Sequence, residues 1–326
     1  MALEIELTEA ADYLCDYTFN FQWHNRKIGP DYEIPGQEYT HYTYGDLIGT
    51  LRAEHDVNIT GDVGRNFAYS MGADLKHFGG SGDAERTGNI SVDGNAGPEA
   101  AMGMVSGSIY ISGRIEEPLG NIIEVVSDRD NYRKFRSITD IACNGPGSDT
   151  IISNEYNADD RTLVLNDGIL RGTIGARCYR PVNIIVGNNA HNGTGVLMKE
   201  GVVTIHGNSG MNTGSHLNGG TVAIHGKTGE FAGAYMKNGI LAFHEAKGFI
   251  GAGMSGGSIY SKSKAKTSSP AAKVKMKGED SALMRRLMDA GRVESMIYNK
   301  YGFEEEKEKY IEVRMRDGSI VLRKAD

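Results

Sequence analysis

Three histidines, His206, His225 and His244, recur at intervals of nineteen residues. Imidazole is a common zinc ligand, and histidines on neighbouring strands would lie about 5 Å apart, so such a set could in principle share a metal. Side chains stacked in this way run parallel instead of converging on one point, and no carboxylate stands beside them at a ligand position. The pattern therefore favours an exposed or partner-facing row of histidines, and we predict no metal site.

The other reactive residues form no recognisable catalytic set. Cys15, Cys143 and Cys178 are odd in number and far apart in the sequence, so they indicate neither a disulfide framework nor a Cys-x-x-Cys metal site, and a reduced, intracellular protein is predicted. The stretch "GNSGMNTG" is rich in glycine but has neither the Lys-Ser ending nor the following helix of a phosphate-binding loop. We predict no catalytic, cofactor-binding or metal-binding residue in this chain.

Composition excludes several classes of protein. The chain has 326 residues and a net charge of -7, which argues against general nucleic-acid binding. No run approaches the roughly 20 continuous apolar residues that span a bilayer, and the start "MALEIELTEAADYL" is acidic where a signal peptide would be basic and then apolar. We therefore expect a cytoplasmic protein that binds neither nucleic acid nor membranes.

A repeat of about nineteen residues explains why the histidines recur. Each unit holds a short β-branched run, a glycine, small residues and an apolar anchor. The leading glycines are Gly168, Gly187, Gly207 and Gly226, and the anchors are Cys178, Met198, Leu217, Met236 and Met254. Helices of ten or more residues do not fit between such glycines, because each costs about 1 kcal/mol in a helix interior. Stacked coils of short strands do fit, so the sequence predicts an all-β chain, a parallel β-helix.

The repeat also predicts which side chains face inward. Alternation along the strands gives three inward pairs: Val203 and Ile205, Val222 and Ile224, Leu241 and Phe243. The apolar anchors, together with Met104, are expected to fill the centre. The same frame extends back to Gly61, so the β-helix is predicted over residues 57–260, with an insertion at 73–86 and an excursion at 121–161.

Residues 1–56 are predicted to cap the open end of the coils. The stretch "DYTFNFQWHN" alternates Tyr17, Phe19, Phe21 and Trp23 with polar residues, which is typical of a strand with one aromatic face. Such a strand would protect the unpaired edge of the first coil. The alternative is an interface with a partner, because aromatic residues concentrate there.

The excursion at 121–161 is predicted to hold a short amphipathic helix. Tyr132, Phe135, Ile138 and Ile141 recur at three-residue steps, and we expect Phe135 to pack inward on the coils. The opposite face carries Arg133, Lys134 and Arg136. A charge run of this kind can be only a solvated face, but insertions in solenoids gather on the binding face. We therefore predict that these three residues contact a partner, with His206, His225 and His244 as further candidates.

Two segments follow the coils. Residues 261–278 contain lysines, small residues and one proline, which indicates an exposed linker. Residues 279–326 are predicted to form a helix, with a capping-type start at Asp280 and apolar Leu283 and Leu287, and then a hairpin that turns at Asp317 and Gly318. This C-terminal module is the alternative docking element.

The glycine columns resemble a known repeat. Four positions return nineteen residues later: Gly207, Gly210, Gly214 and Gly220 as Gly226, Gly229, Gly233 and Gly239. They resemble the GXGXG repeat domain shared by the carboxy-terminal part of the glutamate synthase large chain and by one of the subunits of formylmethanofuran dehydrogenase, which we call its GXGXG subunit. The resemblance covers residues 57–260 and implies a right-handed β-helix that acts as a scaffold. The insertion at 73–86 and the "GNAGPEAAMGMVSG" turn are more similar to the dehydrogenase, whereas the excursion and the lysine-rich segment depart from its pattern.

The resemblance implies a non-catalytic scaffold subunit of a cytoplasmic multi-subunit oxidoreductase, similar to the GXGXG subunit of formylmethanofuran dehydrogenase in methanogenesis. Its partners would be catalytic subunits, and these would carry any molybdenum or tungsten pterin and any iron–sulfur clusters, since the repeat domain carries no cofactor of its own. A glutamate synthase-type subunit is the alternative within the same fold. A stand-alone hydrolase of small esters is the alternative from another class, and no nucleophile can be assigned to it.

Overall fold

The computed structural model describes residues 2–19 and 28–303, together with the backbone of residues 310–314 and 320–324. These residues form a β-solenoid, with three α-helices packed on it: α1 (Tyr44–Arg52), α2 (Ile138–Asn144) and α3 (Gly278–Leu287). None of these helices has the length and apolar character that crossing a bilayer requires, within the part of the chain that the structure describes.

The first sheet has seven short strands: β1 (Leu3–Leu7), β2 (Gln37–Glu38), β3 (Val57–Thr60), β4 (Ile90–Asp93), β5 (Ser108–Ile111), β6 (Ile122–Val125) and β7 (Arg133–Ser137). Strands β1, β3, β4 and β5 pair in parallel, so that Val57 lies opposite Ile90 and Ile90 opposite Ile109. Strand β7 then lies antiparallel between β5 and β6. The excursion therefore ends the first run of parallel coils.

The second run of coils is longer. The strands that follow in the chain are β8 (Asn154–Asn157), β9 (Thr162–Leu165), β10 (Asn183–Val186), β11 (Val202–Ile205), β12 (Asn218–Thr228), β13 (Asn238–Ala246), β14 (Phe249–Ile250), β15 (Ser258–Ser261), β16 (Lys266–Thr267), β17 (Ala271–Val274), β18 (Asn299–Phe303), β19 (Tyr310–Arg314) and β20 (Ile320–Lys324). Of these, β14 pairs with β16 and β19 pairs with β20, outside the main sheet. The main sheet has the order β17-β18-β15-β13-β12-β11-β10-β9-β8. Its five central pairings, from β9 to β15, are parallel.

Antiparallel strands close both ends of this second run. Strand β8 covers the outer edge of β9, and β18 covers the outer edge of β15. An open end of a parallel solenoid would present unpaired N–H and C=O groups to other chains, so these strands limit edge-to-edge association.

The interior agrees with the sequence prediction. All three inward pairs of β11, β12 and β13 are fully buried. The apolar anchors of the second run form one central column, in which every member has at most 1% of its surface exposed: Cys178, Met198, Leu217, Met236 and Met254. Met104 is also buried, but it lies in the separate core of the first run. Burial of a methionine or leucine side chain contributes about 1.5–3 kcal/mol, so this column is a main source of stability.

The corners explain the glycine columns. At Gly195 the backbone has a φ of +69°, and an added Cβ would lie 2.3 Å from Val222 Cγ2 in the next coil. At Gly233 φ is +68°, and an added Cβ would lie 2.6 Å from Ile259 Cδ1. Glycine is required at such positions both for the left-handed backbone and for the close approach of the next coil.

Helix α1 covers the first core. It begins at a capping box in which Thr43 and Asp46 satisfy each other's backbone N–H groups, and it buries Leu47 and Leu51 against the same cluster as β1 and β3. Strand β1 pairs with β3 in parallel, so the solenoid starts before residue 57.

The aromatic strand predicted near residue 17 is not found in the described residues. Tyr17 lies in a turn and is fully buried, and its hydroxyl is 2.6 Å from Thr87 Oγ1. Phe19 packs edge-to-face on Phe78 of the insertion at 73–86. Phe21 and Trp23 lie outside the described residues. The two described members, Tyr17 and Phe19, pack at a turn of the chain instead of along a strand.

The helix predicted over residues 132–141 is wrong in its first half. Residues Arg133–Ser137 form β7, and helix α2 begins only at Ile138, where the Ser137 side chain caps it. Strand β7 has partners on both sides, β5 and β6, and these backbone hydrogen bonds outweigh the weak helical spacing of the sequence. Phe135 is buried, as expected.

The lysine-rich residues 261–278 do not form an exposed linker. They contain β16 and β17, and β17 pairs with β18 in the main sheet. Ala271 is buried in the core, whereas Lys273 and Lys275 are exposed, so the lysines of this segment reach solvent although its backbone is paired in the sheet. Strands β19 and β20 pair antiparallel as the predicted hairpin requires, and its turn at Asp317 and Gly318 lies outside the described residues.

Candidate functional site

The corners of successive coils build one surface of the solenoid, which we call the corner face. Each corner holds three residues of positive φ, at positions i, i+2 and i+4, and the residue at i+2 is a glycine or an alanine. The flanking residues of these corners are Asn66 and Ser70, Glu99 and Gly103, Thr173 and Arg177, Gly193 and Leu197, Asn212 and His216, Phe231 and Tyr235. Side chains from distant parts of the sequence are thereby brought into two adjacent rows.

The corner face contains a cavity of about 280 Å³ where the two runs of coils meet. Across this junction the Gly103 N–H donates to Thr173 Oγ1 at 2.8 Å. The walls combine polar and apolar side chains: Asn66, Tyr69, Glu99, Arg177 and His216 with Met102, Val196, Leu197 and Met211. This volume is close to the lower limit for pockets that bind small organic ligands.

Arg177 is the cation of this cavity, and the described residues offer it no ion-pair partner. Its guanidinium forms no ion pair and donates no hydrogen bond to any residue that the structure describes. Burial lowers the pKa of Arg177, and the nearby Tyr69 hydroxyl partly offsets this effect. Burial also raises the pKa of Tyr69, so its hydroxyl is neutral at pH 7. The arginine remains charged because its ordinary pKa is above 12.

Two further polar groups face the same space. The Glu99 carboxylate accepts a hydrogen bond from Arg65 at 3.0 Å, so its charge is already balanced. The Asn66 side chain is only 3% exposed, and its Nδ2 group is buried without a hydrogen bond of good geometry within the described residues. Burial raises the pKa of the nearby Tyr13 hydroxyl, and Asn66 partly offsets this effect. A buried, unsatisfied donor costs about 1–3 kcal/mol, so a ligand that accepts from Asn66 would recover this energy.

Beyond the cavity the corner face becomes apolar. Four large side chains are exposed there: Met211 by 39%, Phe231 by 43%, Tyr235 by 57% and Phe249 by 53%. Phe231 and Phe249 lie in adjacent coils, since the Phe231 N–H donates to the Phe249 carbonyl. The Tyr235 ring lies 5.0 Å from the His216 ring, between centroids. We call these four residues the apolar strip.

The predicted histidine row exists, and the chain's own C-terminal module covers part of it. The ring centroids of His206 and His225 are 5.0 Å apart, and those of His225 and His244 are 6.4 Å apart. Helix α3 packs Met284 against Ala223, Ala242 and Tyr260 of the same sheet. Burial, together with the neighbouring positive charges, lowers the pKa of His225 and of His244. Whether this row contacts a partner stays a prediction.

Arg133, Lys134 and Arg136 are engaged in ion pairs within the excursion. Arg133 donates two hydrogen bonds to Glu124, at 2.9 and 2.6 Å. Lys134 lies 3.0 Å from Asp149, and Arg136 lies 2.8 Å from the same carboxylate and also pairs with Asp140. Their role as partner contacts stays a prediction, and these pairs give the three residues a structural role of their own.

Two of the three cysteines meet although they are far apart in the sequence. Cys143 of α2 and Cys178 of the central column lie with their Sγ atoms 3.4 Å apart, and both are buried. The hydrogen bond from Cys178 lowers the pKa of Cys143 to about 7. Sequence spacing could not predict this contact, because it depends on how the excursion folds back on the coil.

No catalytic or metal centre emerges from the described residues. No group of three or more His, Cys, Asp or Glu side chains in this part of the chain is arranged to hold a metal ion. Residues 253–257 read Gly-Met-Ser-Gly-Gly, but the chain continues into strand β15, whereas the nucleophile elbow of esterases leads from a strand into a helix.

Comparison with known proteins identifies a relative of this chain. An uncharacterized protein of Methanothermobacter thermautotrophicus is 40% identical over 210 residues, which cover 64% of this chain and 67% of that protein. The chain belongs to the family of this Methanothermobacter protein. No model of a described protein family matches the chain.

One solved structure is similar to this family member over most of its length. It is a chain of the formyltransferase/hydrolase complex from Methylorubrum extorquens, determined in complex with methylofuran. The match covers 90% of this chain and 89% of that chain, with 14% sequence identity and a TM-score of 0.28. A similarity at this level carries no argument, and the fold assignment rests on the strand pairing described above.

The sequence did not reveal the cavity. Its residues are separated by up to 150 positions and come together only because the two runs of coils meet at Gly103 and Thr173. One signal was available: Arg177, His216 and Tyr235 share a repeat position with Leu197, and a charged or aromatic residue at a repeated corner is unusual in a structural column.

Proposed function

We propose that this chain is a non-catalytic scaffold subunit of a multi-subunit oxidoreductase, similar to the GXGXG subunit of formylmethanofuran dehydrogenase. Its partners are catalytic subunits, which carry any molybdenum or tungsten pterin and any iron–sulfur clusters. The complex works in the cytoplasm. The resemblance of the glycine columns to the GXGXG repeat supports this proposal, and so does the parallel β-helix itself, which offers a rigid and extended surface.

The observation that carries the proposal is the apolar strip. Four large side chains are exposed in three consecutive coils of the corner face, and a concentration of exposed apolar side chains favours an interaction site. Tyrosine, phenylalanine and methionine are also the residues that interfaces favour at their centre. The strip lies on a regular scaffold, so a partner would meet it with little loss of conformational entropy.

The strip replaces the excursion as the first candidate for partner contact. Reversing the charges of Arg133 and Arg136 would place like charges against Glu124, Asp140 and Asp149, and it would therefore destabilise the excursion itself. Weakened assembly of that double variant would not identify a contact. Substitutions in the strip leave the core and these ion pairs intact.

Purification of the tagged full chain from its natural host, followed by identification of the co-eluting subunits, tests the proposal. A molybdenum or tungsten enzyme in stoichiometric amount is the expected result. A flavin-containing glutamate synthase would indicate the alternative complex. Turnover of a small ester by the chain alone, lost on replacement of a single serine such as Ser255, would refute the scaffold role.

A further inference from the structure

The cavity at the junction of the two runs of coils has the charge and hydrogen-bonding properties of an unfilled binding site. Arg177 is a cation without a counter-ion among the described residues, and Asn66 Nδ2 is a buried donor without an acceptor. Both groups line the same space. Arg177 is half-buried, and a cation that is partly removed from water without a partner is destabilised, so a ligand of opposite charge would be bound favourably at this point.

We propose that this cavity binds a small organic carboxylate, with Arg177 as its ion-pair partner and Asn66 as a second donor. The planar guanidinium of arginine matches a carboxylate in a two-bond geometry. This site adjoins the apolar strip, with which it shares Met211, and it does not depend on the proposed scaffold function.

The charges around the cavity select a single negative charge. Arg177 is the unpaired cation, and Glu99 contributes a carboxylate that is balanced by Arg65 at the rim. Burial lowers the pKa of His216, and the Lys237 charge lowers it further. Burial raises the pKa of Tyr69, and the Asp16 charge raises it further. A phosphate with a charge of about -1.5 to -2 needs more than one cation. Among the described residues, Arg177 is the single lysine or arginine of the cavity lining, which is enough for one carboxylate.

The apolar walls indicate that the carboxylate belongs to an organic molecule. Met102, Val196 and Leu197 line the cavity beside the polar groups. Its volume of about 280 Å³ equals about nine waters at their share of roughly 30 Å³ each, which is enough for a small aromatic or branched acid.

Isothermal titration and thermal unfolding of the full chain, with benzoate as the probe, test this proposal. Benzamide serves as its neutral analogue and inorganic phosphate as the competing oxyanion. We expect saturable binding of benzoate below about 10 mM, a matching rise in Tm, and no response to benzamide. Binding of phosphate but not benzoate, or no benzoate binding up to about 50 mM, would overturn the proposal.

Arg177→Leu is the decisive variant. Leu197 holds the equivalent corner position with the same φ of 58°, so leucine is compatible with this backbone. We expect benzoate affinity to fall by about tenfold or more, because a hydrogen bond to a charged group is lost. The Tm without ligand should stay the same or rise, because an unpaired cation is removed. Arg114→Leu, an arginine outside the cavity, is the matched control and should bind benzoate normally.

Two further variants keep the proposal testable if Arg177→Leu does not fold. Glu99→Gln removes the nearby carboxylate and should tighten benzoate binding, whereas Asn66→Asp removes a donor, adds a negative charge and should weaken it. Unchanged affinity in both variants would show that benzoate binds elsewhere, and the assignment would then be wrong.

Discussion

At the scale of single residues, buried Arg171 is the counterpart of Arg177. Its side chain is 2% exposed, and it donates two hydrogen bonds to Asp167, at 2.7 and 2.6 Å, and one to the Ile122 carbonyl. Burial alone would raise the pKa of Asp167, but the bonds from Arg171 outweigh it and lower that pKa. The two arginines lie in the same coil. The charge of Arg171 is balanced by Asp167, whereas Arg177 has no counter-ion among the described residues.

Replacing Asp167 with Asn should therefore destabilise the chain strongly. The change leaves the Arg171 guanidinium buried without its counter-ion, which costs about 3–5 kcal/mol. Urea unfolding at pH 7 measures the effect, with Asp159→Asn on the exposed loop nearby as the control. A loss below about 1 kcal/mol would mean that water or a rearrangement compensates Arg171.

The histidine row predicts how stability depends on pH. The pKa values of His225 and His244 are lowered in the folded chain, so the unfolded chain binds more protons when the pH falls through the ordinary histidine value of about 6.5. The stability that these residues contribute is present above that value and is lost as the pH falls towards the lowered folded values. The Tm of the wild type should fall between about pH 7 and 5.5, and the variant with His225→Asn and His244→Asn should fall less. Parallel curves for the two proteins would contradict this assignment.

Residue types in the core could be predicted from the sequence, and residue roles at the surface could not. The inward pairs and the apolar anchors follow from strand alternation and from the repeat period, which are local properties. The isolation of Arg177 and the partners of Arg133 depend on which carboxylates the fold brings near them. No spacing rule contains that information.

At the scale of elements, the side chain of Asn121 joins the two runs of coils. It is fully buried, donates to the Met104 carbonyl at 2.9 Å and to Thr139 Oγ1 at 2.7 Å, and accepts from the Gly175 N–H at 3.0 Å. The side-chain amide thus supplies hydrogen bonds that a neighbouring backbone would provide inside a regular stack of coils.

Asn121→Leu should destabilise the junction between the two runs of coils more than the rest of the chain. The variant leaves the buried Gly175 N–H without an acceptor, at about 1–3 kcal/mol, and removes two further hydrogen bonds, at about 1 kcal/mol each. The Met104 carbonyl and the Thr139 hydroxyl keep Ser137 and Ala176 as partners, so we expect a loss of about 3–5 kcal/mol in all. Hydrogen exchange should show the loss first at the backbone of residues 101–104 and 173–176. Asn144→Leu, on the exposed end of α2, is the control. Uniform loss of protection along the whole chain would contradict a local role for Asn121.

The excursion shows where sequence reasoning about elements fails. Three-residue spacing of apolar residues suggested one helix over residues 132–141, yet a strand and a helix share that stretch. The strand forms because β5 and β6 offer it two partners, and a tertiary pairing of this kind is not encoded in local periodicity. Long repeats are the opposite case, since each coil predicts the structure of the next.

At the scale of the whole molecule, the corner face unites a ligand cavity and an apolar strip on one rigid surface. The solenoid holds both in place through regular backbone pairing, and antiparallel strands protect the ends of its second sheet. Both binding surfaces lie on regularly paired backbone, and a rigid surface of this kind suits a scaffold more than a catalyst. The scaffold proposal therefore depends on the apolar strip being the surface that contacts the partner subunits.

Co-purification with variants of the apolar strip tests this central claim most directly. The tagged chain carrying Phe231→Asn and Phe249→Ser, in which asparagine is the residue that Asn212 provides at the equivalent corner, is compared with wild type and with Tyr39→Ser, an exposed residue outside the strip. The account predicts that wild type and Tyr39→Ser retain the same stoichiometric oxidoreductase subunits, and that the strip variant folds with an unchanged Tm but loses them at least about tenfold. Full retention of those subunits by the folded strip variant would contradict the account.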